Sequence, residues 1–177
     1  MIRIQRNRAK SFKNWILESK YQPGLRIPSN HDFDDNEISI LKDINWTDLD
    51  WKEVGNDGHS IVWLKCVLPI DLDLSESVIV DVQIIRDTFY QIHISISEEI
   101  RGIGLGTKIY RSLVNWLGHI YSGLGRRHNP IINKVLDRIK RDPGVVCKSN
   151  NLGDICISRK NPDGKRLASI FRRIGTN

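Results

Sequence analysis

The sequence predicts an α/β, or more broadly α+β, domain in which helices flank a central mixed β-sheet that is mainly antiparallel. Three observations lead there. Two runs alternate with the period of a strand: Val78, Val80, Val82 and Ile84 in one, and Tyr90, Ile92, Ile94 and Ile96 in the other. A glycine-rich segment, Arg101-Gly102-Ile103-Gly104-Leu105-Gly106, stands between the second run and an amphipathic stretch whose stripe is Ile109, Leu113, Trp116, Leu117 and Ile120. The order of segments reads helix, strands, helix, strand, helix, strands over 177 residues, with no internal repeat or low-complexity linker, and so describes a single domain, 1–177.

Each element has a local cause. Phe12, Trp15 and Ile16 lie at helical spacing within 9–20, and Gln22-Pro23-Gly24 stops that helix. Residues 31–57 are polar and punctuated by Asp and Asn around Ile38, Leu41, Ile44 and Trp46; they read as a short helix or irregular turns, closed by a bend at Asn56-Asp57-Gly58. Residues 59–68 are β-branched and aromatic and form a strand. Residues 77–85 and 89–97 form a hairpin. A three-residue connection, Arg86-Asp87-Thr88, puts both apolar rows on one face and opposes Asp81 to His93 and Gln83 to Gln91 on the other. A helix over 107–117 ends at Gly118, and a short strand follows at 119–122. Asn129 caps a further helix with Pro130 at its first position, and Asp142-Pro143-Gly144 breaks it. Strands near Val145-Val146 and over 154–159 complete the domain, followed by an Asn161-Pro162-Asp163-Gly164 turn and a basic tail.

Composition narrows the class. Hydrophobic residues are 40% and charged residues 27%, the balance of a globular chain. The apolar runs are far shorter than a membrane helix needs, and 1–10 is basic without the apolar stretch of a secretory signal, so no membrane partner is expected. Cys66, Cys147 and Cys156 form no close pair and no CxxC; neither a disulfide framework nor a cysteine zinc site is expected, and the reading is a cytoplasmic protein. The five histidines show no HxH or HxxxH spacing, so no metal is expected. The net charge of +6 is divided: residues 1–99 carry 11 Lys and Arg against 17 Asp and Glu, and residues 100–177 carry 16 against 4. A basic half suits phosphate-bearing ligands, and the acidic stretch 31–57 suits a cation.

The glycine segment concentrates the chemistry. Alternate glycines clear side chains from the inner curve of a loop, so that backbone N–H groups can converge on an anion at the positive end of the following helix. The spacing is neither a Walker loop nor GxGxxG. The segment resembles the pyrophosphate loop of the GNAT superfamily of N-acetyltransferases, Gln/Arg-x-x-Gly-x-Gly/Ala, which follows the fourth strand and opens a helix. The resemblance covers roughly 77–142. It implies an acceptor side over about 9–57, an acyl-CoA-binding core over about 59–142, and C-terminal strands with a basic tail over 143–177.

What the resemblance implies can be set out residue by residue. The amides of Arg101, Gly102, Ile103, Gly104, Leu105 and Gly106, with Thr107 behind them, hold the diphosphate of acetyl-CoA, and Arg101 and Lys108 add charge. The pantetheine arm pairs with backbone at Ile94, Ser95 and Ile96, and Asn129 steadies it. An amine then attacks the thioester directly, which requires a base; Glu98, Glu99 and the Asp81–His93 pair are the candidates. The family's usual acid, a Tyr in the pattern Asn-x-x-Ala-x-x-Leu-Tyr, falls on Leu136 here, and Tyr121 and Ser122 are the substitutes. The acceptor is a small-molecule amine or a protein lysine, cationic given the acidity of 31–57. Two other classes remain open: a GNAT-like shell without catalysis, and a nucleic-acid binder using the basic half, the latter disfavoured by the scarcity of interleaved aromatic residues. The oligomeric state is not specified by the sequence.

Overall fold

The computed structural model describes residues 31–57, 60–74, 76–85, 89–123, 130–150 and 153–164. The helix read over 9–20, the cap at Asn129, the 86–88 connection and the tail after Gly164 lie outside these residues. The fold is α+β, with two antiparallel sheets, one of four strands and one of three. Among the described residues, no helix is long and apolar enough to cross a membrane.

Helix α1 spans Asp35–Asp43. Its start is a capping box: the Glu37 amide donates to Asp34 Oδ1 at 2.7 Å and the Asp34 amide to Glu37 Oε2 at 3.1 Å. Leu41 is its buried residue. A short 3-10 turn follows over Trp46–Asp48, where the Trp46 indole donates to the Leu41 carbonyl at 2.9 Å.

Strand β1, Asp50–Asn56, corrects the expectation that 31–57 holds only a helix and turns. Its sequence alternates weakly. It is a strand because it pairs with β2, Ile61–Val67, and because Trp51 drives into the core and donates to Ser112 Oγ at 2.9 Å. A bulge between Glu53 and Gly55 re-aims the strand, and Gly55 leaves room for the Trp63 ring, which a Cβ would approach to 2.9 Å.

Strands β3, Val78–Ile85, and β4, Phe89–Ile96, pair in the predicted register, Asp81 opposite His93 and Gln83 opposite Gln91. The four-stranded sheet runs β1-β2-β3-β4. Helix α2, Leu105–Leu117, begins two residues earlier than the expected Thr107, because Gly104 in the left-handed region serves as its N-cap. Its Ile109, Leu113 and Leu117 are fully buried and join Val62, Val80, Val82 and Ile92 in one core. Each such side chain contributes about 1.5–3 kcal/mol by leaving water.

After Gly118 come β5, His119–Gly123, helix α3, Pro130–Lys140, and β6 and β7, Val145–Asn150 and Gly153–Ser158. These strands form the second sheet, ordered β5-β7-β6. The single central sheet expected from the sequence is therefore divided. β4 and β5 run side by side, with Cα atoms within 8 Å, but no ladder joins them. The Tyr90 and His119 rings, at the starts of the two strands, stack with centroids 5.1 Å apart.

The cysteine expectation is also corrected. Cys147 and Cys156 are direct partners across β6 and β7 and form a disulfide, and Cys66 is a free, buried thiol. Cross-linking this short hairpin is worth about 2 kcal/mol. Reduction, or Cys147→Ser, is expected to lower Tm by about 4–8 °C in differential scanning calorimetry; an unchanged Tm together with a full complement of titratable thiols would remove the bond.

Candidate functional site

The glycine loop is built by what surrounds it. β4 ends in a 3-10 turn, Glu98–Ile100, whose Ile100 is fully buried, and the Arg101 amide closes it on the Glu98 carbonyl at 3.1 Å. Gly102 and Gly104 then take φ values of 83° and 85°, the left-handed region that favours glycine. A Cβ built on either would meet nothing within 4 Å, so both glycines border open space. Gly106, by contrast, lies against Ile96 and Val135. Among the described residues, the backbone N–H groups of Gly102, Gly104, Leu105, Gly106 and Thr107 have no hydrogen-bond acceptor, Ile103 closes the turn over Arg101 and Gly102, and the first helical bond is Lys108 N–H to the Gly104 carbonyl at 3.3 Å. Free amides at the positive end of a 13-residue helix are the kind of group that receives an anion, and the loop is the candidate cradle.

The two basic side chains are held differently. Arg101 turns back over β4, its Nε donating to the Ile96 carbonyl at 2.8 Å and its Nη1 lying 3.8 Å from Glu98 Oε1. Lys108 leaves the loop altogether: its ammonium donates to the Lys42 carbonyl, at the negative end of α1. Lys108 therefore ties the acidic α1 to the first turn of α2, and its charge is not presented at the cradle.

Beside the cradle lies the unpaired edge of β4. The Ser97 amide donates to Ser77 in the 2.8 Å bond that continues the β3 ladder, so the backbone groups of Gln91, His93 and Ser95 face β3. Those of Ile92, Ile94 and Ile96 face β5. Tyr110 Oη donates to the Ile92 carbonyl at 3.0 Å from within this gap. The Ile94 amide and carbonyl and the Ile96 amide are left on an edge without a ladder. The side chains of Ile92 and Tyr90 are buried, while Ile94 and Ile96 are partly exposed.

The acid–base candidates separate into three groups. Asp81 and His93 face each other across β3 and β4, with Trp63 next in the row on β2. Burial pushes the Asp81 carboxyl up to about 7 and pulls the His93 imidazole below its usual value. Glu98 and Glu99 are exposed on the 3-10 turn. Tyr121 and Ser122 sit on β5 opposite Ile155 and Asp154, and Ser122 Oγ donates to the Asp154 carbonyl at 3.5 Å. Leu136 is fully buried in the core, so no acid stands at that position. Among the described residues, no group of three or more His, Cys, Asp and Glu is arranged to hold a metal.

The acidic segment is partly structural. Asp34 and Glu37 form the capping box, Lys160 binds Asp48, the Trp116 indole donates to Asp50 at 2.6 Å, and Asp57 accepts from the Ser60 and Ile61 amides. Asp32, Asp35 and Asp43 are exposed. Sequence reasoning missed Tyr110, whose signal was a phenol placed one residue after the apolar stripe. It also missed Asp154, 3% exposed, which binds Lys140 at 2.9 Å and accepts from Ser149, tying α3 to β6 and β7. Comparisons of the chain with protein-family models, with curated proteins and with solved structures returned no match.

Proposed function

We propose that this chain is an acyl-CoA-dependent N-acetyltransferase of GNAT-like topology, which transfers an acetyl group from acetyl-CoA directly to a primary amine. The observation that carries the reading is the set of acceptor-free amides of Gly102 and of Gly104 to Thr107, in a loop whose Gly102 and Gly104 border open space, beside an unpaired strand edge. A diphosphate matches the first feature, and an amide-bearing arm matches the second, since it can add to β4 as a strand would. The neighbouring but unladdered β4 and β5 suit the same topology.

Catalysis on this reading needs no protein nucleophile. The amine nitrogen attacks the thioester carbon, the carbon–sulfur bond breaks, the amine's surplus proton passes to a base, and the departing thiolate takes up a proton. The outward Ile94 amide is the donor placed to polarise the thioester carbonyl. Asp81, with a carboxyl near 7, has the proton affinity a base requires at neutral pH, and His93 beside it is held neutral. Glu98 and Glu99 stand nearer the cradle but are solvated, and Glu98 lies against Arg101. Tyr121 and Ser122 are the proton donors on the far side of the gap. The exposed acids of α1, joined to the cradle end of α2 through Lys108, favour a cationic acceptor such as a lysine or a polyamine.

Calorimetric titration with acetyl-CoA, followed by an acceptor screen that detects released thiol, tests the proposal. Binding with turnover supports it. Binding without turnover on any amine favours a catalytically silent shell, a reading that the buried Leu136 motivates. Absence of binding, with a steep salt dependence of DNA binding instead, favours the nucleic-acid reading. Gly104→Ala is expected to weaken acetyl-CoA binding about tenfold, because its methyl enters the cradle, while the left-handed backbone costs about 1–2 kcal/mol of stability. An unchanged Kd in a folded variant would move the phosphate site elsewhere.

A further inference from the structure

We infer that Tyr110 closes the inner end of the β4–β5 gap and so restricts the acyl donor to short chains; the inference rests on the reading of that gap as the site of the acyl arm. Three side-chain contacts divide the outward edge of β4. At the loop end, Arg101 Nε occupies the Ile96 carbonyl at 2.8 Å. Further in, Tyr110 Oη occupies the Ile92 carbonyl at 3.0 Å. Below that, the Tyr90 and His119 rings stack across the two strands.

Ile92 and Ile96 are separated by about 13 Å of strand, and between them only the Ile94 amide and carbonyl and the Ile96 amide face the gap without a ladder. An arm that enters at the cradle and pairs with these groups delivers its thioester near Ile94. Its acyl tail then points toward the Ile92 carbonyl. That position is already taken by a buried phenol, 6% exposed, which rises from α2. An acetyl group stops short of the ring. A longer tail must displace it, which breaks the hydrogen bond to Ile92. Tyr110 is thus a specificity-determining residue whose ring, more than its hydroxyl, sets the limit.

The test measures Kd for acetyl-, butyryl- and octanoyl-CoA, and for free coenzyme A, on the full chain and on Tyr110→Phe, Tyr110→Leu and Tyr110→Ala, each checked for a cooperative thermal transition. The full chain is expected to bind acetyl-CoA at least about tenfold more tightly than octanoyl-CoA. Tyr110→Phe keeps that ratio, whereas Tyr110→Leu and Tyr110→Ala shrink or invert it and leave the Kd of free coenzyme A unchanged. Should Tyr110→Ala not fold, Tyr110→Leu reads the same loss of ring. Equal affinity of the full chain for all three lengths overturns the inference while leaving the transferase reading intact, and so does an unchanged ratio in the folded Leu variant. Failure to bind any of the four ligands overturns the transferase reading, and the gauge falls with it.

Discussion

Asp81→Asn is expected to stabilise the protein by a few kcal/mol at about pH 8 and to have no effect at about pH 4. Burial raises the Asp81 carboxyl from its ordinary 3.8 to about 7. Between those values the folded chain keeps a proton that the unfolded chain has released. The stability linked to that proton is complete below about pH 4, declines as pH rises, and is gone above about pH 7. Each pK unit corresponds to about 1.4 kcal/mol. Asn reproduces the protonated carboxyl in shape and polarity and cannot ionise, so the variant escapes the decline. Two other groups bear on the result. His93, opposite, is lowered by burial and contributes the reverse trend, stability lost as pH falls through its ordinary 6.5. Tyr110 is raised by burial and by Asp81 itself, and stays neutral throughout. Chemical denaturation of both proteins from about pH 4 to 8 measures the difference. If Asp81 were instead ion-paired with a protonated His93, Asp81→Asn would destabilise near neutral pH, the opposite sign.

Gly118→Ala is expected to lower stability by about 3 kcal/mol and Tm by about 6–12 °C. Gly118 ends α2 at a φ of 83°, and a Cβ there would stand 2.6 Å from the Gly164 nitrogen and 2.8 Å from the Pro162 carbonyl. The obstacles are backbone, which cannot rotate aside. Left-handed strain and overpacking therefore add. Gly164→Ala meets the same wall from the other side, where its Cβ would run into the Leu117 carbonyl. The double variant should lose less than the sum, because both changes force apart one pair of segments. Additive losses would show that the two glycines act separately.

The hairpin and the loop were legible because each is specified locally. Alternation over Val78–Ile84 and Tyr90–Ile96 admits one register, and that register placed Asp81 against His93. Left-handed glycines at 102 and 104 follow from their own lack of a Cβ. β1 was not legible, because Asp50–Asn56 is held by a distant partner, Ser112 on α2, and by β2. The disulfide was legible in principle. Strands ending at Asn150 and resuming at Gly153 oppose Cys147 to Cys156, but only if both strands are extended beyond their apolar residues. The division into two sheets was not legible, because whether β4 and β5 pair depends on their relative placement in three dimensions and not on either strand's own pattern. The Lys108 contact was not legible for a related reason: its position beside the loop says nothing of the Lys42 carbonyl that its ammonium reaches.

The one-sided pairing of β4 has a consequence for solvent exchange. Amide protons of Gln91, His93 and Ser95, locked into the β3 ladder, should persist in deuterium oxide, while those of Ile94 and Ile96 on the same strand should be replaced early. The protein would then carry, midway through its fold, a seam that breathes without global unfolding, and whatever molecule fills that seam would slow every second proton along one strand.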